Sequence, residues 1–196
     1  MSRRSILAAV ASLGGAAWAA GEVRVKLETA LGPIELALDT ARAPLSSGDF
    51  LKYVDRNLFE GAAFYRTVRP DDDINPVRID VIQGGLLDDK KMLPPIAHEP
   101  TNKTGLRHRD GTISIARGAP GTGSAGAFFI SIGDQPALDF GGKRNPDGQG
   151  FAAFGQVVHG MDVVRRIWRS KIDAEAAGMA HEMLKPPIPI RGAHRL

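Results

Sequence analysis

The sequence predicts a mainly β domain: a closed or nearly closed antiparallel barrel capped by two short helices. Three observations lead there. Short β-prone runs recur from one end of the chain to the other, separated by loops rich in Gly, Pro, Asp and Asn. Only two segments carry a helical period. The 23 glycines and 13 prolines in 196 residues favour turns and short strands over long helices. Many strands with few helices must bury their apolar faces against one another, and closure removes the exposed sheet edges.

The elements follow in order. Val23 to Thr29 alternates apolar and polar residues, as a half-buried strand does, and Ile34 to Leu38 alternates again after the Gly32-Pro33 turn, giving a hairpin. Ala43-Pro44 opens a helix, since proline is tolerated in the first turn. Phe50, Leu51, Tyr53 and Val54 give it an apolar face that ends near Asn57. Short strands and loops fill Ala63 to Ile130, the clearest strands being Ile113 to Ala116 and Phe128 to Ile132. A loop spans Phe140 to Gly150, a strand Ala152 to Val158, and a second helix Met161 to Trp168. Segment 171–184 leaves a helical excursion open. Pro186 to Ile190 is expected as a terminal edge strand, where missing N–H groups are tolerated.

Composition narrows the chemistry. The chain has no cysteine, which excludes disulfides, thiolate metal sites and cysteine nucleophiles. Arg3 and Arg4, the uncharged run Ile6 to Ala17 and the Ala17-Trp18-Ala19 pattern read as a secretory signal peptide over 1–19, followed by one domain over 20–196. A periplasmic or exported location, by the general or the twin-arginine route, is expected. The run is too short to span a bilayer, so no stable membrane insertion is expected after its removal. Cleavage takes two of the three formal positive charges, leaving +1, so charge makes no case for a nucleic-acid partner.

Several motifs are weaker than they look. Gly121 to Gly126 fits G-x-G-x-x-G, but it leads into a strand and not the helix that a dinucleotide pyrophosphate needs, so it reads as a plain loop. The histidines at 98, 108, 159, 181 and 194 lack ligand spacing. His98-Glu99 and Asp71-Asp72-Asp73 read as solvated loop charges, and no metal is expected. No spacing pairs a serine with a histidine.

A scattered set is more informative: Phe64-Tyr65-Arg66, Val81-Ile82-Gln83-Gly84-Gly85 and Phe128-Phe129-Ile130. Strand alternation puts Phe64 and Arg66 on one face, Val81 and Gln83 on another, and splits Phe128 to the core from Phe129. A guanidinium and an amide beside aromatic rings suit a small apolar group that carries one polar bond. These segments, with Gly111 to Ala116, Leu138-Asp139 and Phe154 to Val164, together resemble the cyclophilin family of peptidyl-prolyl isomerases, bacterial exported members especially.

The resemblance implies an eight-stranded antiparallel barrel capped by two helices, acting without a cofactor on proline-containing polypeptides and expected as a monomer. It implies a catalytic role for Arg66, and substrate-binding roles for Phe64, Val81, Gln83, Ile115, Ala116, Phe129, Leu138 and Phe151. Tyr65, Asp80, Ala127, Ala137 and Phe151 depart from the residues frequent at those positions. The stretch between Arg66 and Gln83 is about nine residues longer than is usual, an insertion of the kind loops accept at low cost. A proline-binding chaperone module of weak or no turnover is the alternative reading.

Overall fold

The computed structural model describes residues 21–71, 73–173 and 181–196. The signal-peptide reading of residues 1–19 lies outside the described residues. The strands are β1 (Glu22–Thr29), β2 (Gly32–Asp39), β3 (Ala63–Val68), β4 (Val81–Gly85), β5 (Thr112–Ile115), β6 (Ala127–Ser131), β7 (Ala152–His159) and β8 (Met183–Arg195). They close an antiparallel barrel in the order β1-β2-β7-β5-β6-β4-β3-β8. The helices are α1 (Pro44–Asp55), the single turn α2 (Thr101–Thr104) and α3 (Met161–Trp168). The eight-stranded barrel and its two larger helices are as expected from the sequence.

The hairpin forms because Val25 and Leu27 on β1 and Ile34, Leu36 and Leu38 on β2 all turn inward and are fully buried. At its turn the Thr29 hydroxyl donates to the Gly32 carbonyl at 2.6 Å and accepts from Leu31 N–H at 3.1 Å. The α1 face read from the sequence packs into the barrel, with the Phe50 ring 5.2, 5.5 and 5.4 Å from those of Phe59, Phe128 and Phe154. Ala43 offers α1 no side-chain cap. The buried Glu99 carboxylate supplies it from elsewhere, accepting from Leu45 and Ser46 N–H at 3.2 and 2.6 Å. Glu99 is thus a helix cap and not a solvated loop charge. Helix α3 buries Val163, Val164 and Ile167.

The C-terminal strand departs from expectation. β8 is not an edge, for it pairs with β1 on one side and β3 on the other and closes the barrel. Its prolines are accommodated by irregular pairing: Pro189 faces Ala63 and Ile188 faces Phe64, the register then shifts, and the next pair is Arg66 with Met183. Pro186 and Pro187 fall in the shifted stretch, where no ladder N–H is required. Within the 171–184 segment, Ile172 bridges Leu184 and β8 begins at Met183; residues 174–180 lie outside the described residues.

Candidate active site

Two rows of residues cross the same four strands, and their pairing register separates core from site. One row runs Phe64 on β3, Gly84 on β4, Phe128 on β6 and Ile115 on β5. The other runs Arg66, Gln83, Phe129 and Ser114. Directly opposed residues on paired strands share a face. The first row points inward: Phe64, Phe128 and Ile115 all belong to the main core. Gly84 has no side chain because the Phe64 ring lies over it, 2.7 Å from where a Cβ would sit. The second row faces outward, and Phe129 heads a separate apolar cluster with Val68, Ile79, Val81 and Leu138.

This placement corrects two sequence expectations. Phe64 does not share a face with Arg66, because a bulge at Tyr65 breaks the period of two and turns Tyr65 and Arg66 both outward. Ile115 sits opposite Phe128 and so packs inside the barrel, not in the site wall. Phe128 and Phe129 divide between core and site as alternation predicts.

The outward row opens into a cavity of about 820 Å³. It brings together Arg66, Val81, Gln83, Ala116, Phe129, Leu138 and Phe151, seven of the nine site residues expected from the sequence. Phe129 stands edge-on to Phe151 at 5.3 Å, and with Val81 and Leu138 they form an apolar cup. Arg66 lies beside it. Its Nη1 donates to Gln83 Oε1 at 2.9 Å, its Nε donates to Glu182 Oε2 at 2.7 Å, and its Nη2 donates to the same carboxylate oxygen. Three of the five guanidinium N–H groups are engaged, leaving one on Nη1 and one on Nη2 to face a ligand. Gln83 Nε2 donates to the Tyr65 hydroxyl at 3.0 Å, so the bulge residue orients the amide. Burial raises the Tyr65 phenol above its ordinary range, and the Gln83 bond and Arg66 charge only partly oppose it.

Loops complete the rim. Asp73 organises the long β3–β4 connection, accepting from Asn75 N–H at 2.9 Å and Ile79 N–H at 3.0 Å, and is paired with Arg144, which itself lines the cavity. It is buried and not solvated, and it brings Asn75 and Ile79 to the cavity wall. The Gly121–Gly126 stretch is a loop, as its context indicates. It is held to α1 by Asp49, which accepts from Ser124 Oγ and Ala125 N–H at 3.0 and 2.9 Å, and by Tyr53, 2.7 Å from Ser124. Arg117 donates to Asp147 at 2.9 Å and lies 5.2 Å from the Phe151 ring centre. That bond holds the Asp147 carboxyl down to about 2.

One arrangement was invisible in the spacing. Ser114 Oγ is 3.0 Å from His108 Nε2, and His108 Nδ1 is 2.8 Å from Asp139 Oδ1. The order matches a nucleophile–base–orienter relay. Its burial decides against that chemistry: Ser114 is 0% and His108 1% exposed, and the imidazole stacks beneath Phe129 at 5.8 Å. Burial lowers the His108 pKa against the opposing influence of Asp139, favouring the neutral ring. The relay is the floor of the cup. Among the described residues no three His, Asp or Glu side chains converge as metal ligands, and no helix is long and apolar enough to cross a membrane.

Fold and site together define a closed barrel with a cavity on its outer wall, in which a cup with room for one apolar ring has a guanidinium beside it. Residues 24–195 match the model of the family described as cyclophilin type peptidyl-prolyl cis-trans isomerase/CLD. Peptidyl-prolyl cis-trans isomerase A of Dickeya dadantii is 34% identical over 201 aligned positions, covering 98% of this chain and 97% of the relative. A peptidyl-prolyl cis-trans isomerase of Acinetobacter baylyi is 32% identical over 185, covering 91% and 89%. A crystal structure of a Cryptosporidium parvum cyclophilin type isomerase superposes with a TM-score of 0.69 at 17% identity, over 89% of this chain and 98% of that one, a likeness of fold. The chain belongs to the cyclophilin-type peptidyl-prolyl cis-trans isomerase family.

Proposed function

We propose that this isomerase turns the X–Pro bond of proline-containing polypeptides by hydrogen bonding from Arg66 to the proline nitrogen of the twisted amide. Amide resonance sets a rotation barrier of about 20 kcal/mol. Twisting breaks conjugation and leaves the nitrogen with a lone pair that can accept a hydrogen bond. A donor waiting at that position binds the twisted state better than either planar state, and this difference alone accelerates rotation. Each tenfold gain needs only about 1.4 kcal/mol, so one strong charged donor and a desolvating cup are sufficient for several decades. No acid, base or nucleophile takes part.

The observation that carries this reading is the Arg66 guanidinium, fixed by Glu182 and Gln83 with two N–H groups unspent, in the same cavity as the Val81–Phe129–Leu138 cup. In it the cup buries the pyrrolidine ring. Ala116 and the unspent Gln83 N–H meet the peptide groups on either side. The experiment is isomerisation of a proline-containing tetrapeptide by wild type and Arg66→Ala. A loss on the order of 100- to 1000-fold is expected from removal of one such donor, and equal rates would dismiss the role.

We also infer export, on the strength of Arg3, Arg4, the uncharged run and the Ala17-Trp18-Ala19 pattern. The mass of the protein recovered from a periplasmic extract tests it. A mature chain beginning at Ala20 is expected, and an intact N-terminus in the cytoplasmic fraction contradicts it.

A further inference from the structure

We propose that Glu182 is the positioning residue of this site, fixing the Arg66 guanidinium so that its two unspent donors face the cup; the proposal rests on the reading of Arg66 above. The pairing register places it there. Arg66 on β3 is opposite Met183 on β8, and Glu182 immediately precedes Met183. The carboxylate lies on the side of the guanidinium away from Gln83, its Oε2 accepting from both Nε and Nη2.

Three features separate direction from simple stabilisation. Glu182 is fully buried, yet its Oε1 has no hydrogen-bond partner among the described residues. A half-satisfied buried carboxylate is a poor source of stability, and an apolar residue of similar volume would fill the same space at lower cost. What the carboxylate adds is orientation. Gln83 holds Arg66 through a single Nη1 bond, about which the long side chain can still swing. Grips on Nε and Nη2 remove that freedom and fix the plane of the guanidinium. The cup is built of apolar side chains and makes no hydrogen bond to this pair among the described residues, so its loss is expected to slow turnover while the peptide still binds.

Four proteins test it: wild type, Glu182→Gln, Arg66→Ala and the double variant, each assayed for kcat and KM on a proline tetrapeptide, for peptide affinity, and for thermal midpoint. Glu182→Gln is expected to lower kcat on the order of 10- to 100-fold, the scale of a misplaced reacting group. Peptide affinity is expected to stay near the wild-type value, with no further loss in the Arg66→Ala background. Wild-type turnover in Glu182→Gln beside an impaired Arg66→Ala overturns the positioning role and leaves Arg66 standing. Full turnover in Arg66→Ala overturns both. An equal loss from Glu182→Gln in the two backgrounds assigns Glu182 to the fold and overturns the proposal.

Should Glu182→Gln not fold, the wild-type protein decides. A sharp, slowly exchanging Nε–H resonance that disappears in Arg66→Ala is expected. An Arg66 Nε–H in fast exchange with water overturns the proposal.

Discussion

Asp80 offers a stability test whose sign follows from its surroundings. It stands at the head of β4 beside Trp168 and Arg69, with Oδ1 buried and unpartnered. Burial pushes its carboxyl from 3.8 up to about 6, against the smaller downward pulls of Trp168 and Arg69. A group whose pKa is raised on folding binds its proton more tightly in the folded state. Its stabilising contribution is therefore complete below 3.8 and is lost as pH rises through 6. The full shift corresponds to about 3 kcal/mol; the residue is only partly buried, and solvent screening reduces this to about 1 kcal/mol. The perturbation is Asp80→Asn, which keeps the shape and removes the titration. Urea unfolding across this pH range is the assay. The variant and wild type are expected to match at the acid end, with the variant more stable by about 1 kcal/mol at neutral pH. A pH-independent difference, or a wild type that gains on the variant as pH rises, refutes the reasoning.

Other perturbations have equally definite outcomes. Phe129→Ala removes a 5%-exposed ring between His108 and Phe151 and is expected to cost about 3–5 kcal/mol by chemical denaturation, with loss of peptide binding. Arg144→Ala leaves the buried Asp73 carboxylate without its cation and is expected to destabilise by roughly 3 kcal/mol. Hydrogen exchange should show the loss concentrated at the Asn75 and Ile79 amides, and adding Asp73→Ala should cost less than the sum of the two. Gly85→Ala is expected to destabilise by about 3 kcal/mol or more, since φ is +130° and the new Cβ would lie 2.0 Å from the Gly126 carbonyl oxygen. Its thermal midpoint checks this.

What could be read from the sequence was what depends on local period. The β1–β2 hairpin, the face of α1 and the division of Phe128 from Phe129 all follow from alternation or helical spacing, and the structure agrees. Period fails where the backbone breaks it. The Tyr65 bulge adds one residue to β3, which sends Phe64 into the core and makes Tyr65 a partner of Gln83. Spacing also fails where partners are far apart in the chain. Arg66 and Glu182 are 116 positions apart, and Glu182 lies in a stretch with neither clear strand nor clear helix pattern. Ser114, His108 and Asp139 meet only because β5 and the turn before β7 converge beneath Phe129. The prolines of β8 suggested an edge, since pattern alone cannot show that a bulged strand is closing a barrel.

The central claim is that Arg66 acts on the twisted bond and not on binding. Exchange between the cis and trans proline resonances of a peptide, measured by NMR at concentrations that saturate the protein, separates the two. Wild type is expected to accelerate exchange far above the free peptide, while Arg66→Ala still binds the peptide but adds little exchange. Accelerated exchange on saturated Arg66→Ala, equal to that on wild type, would contradict the account.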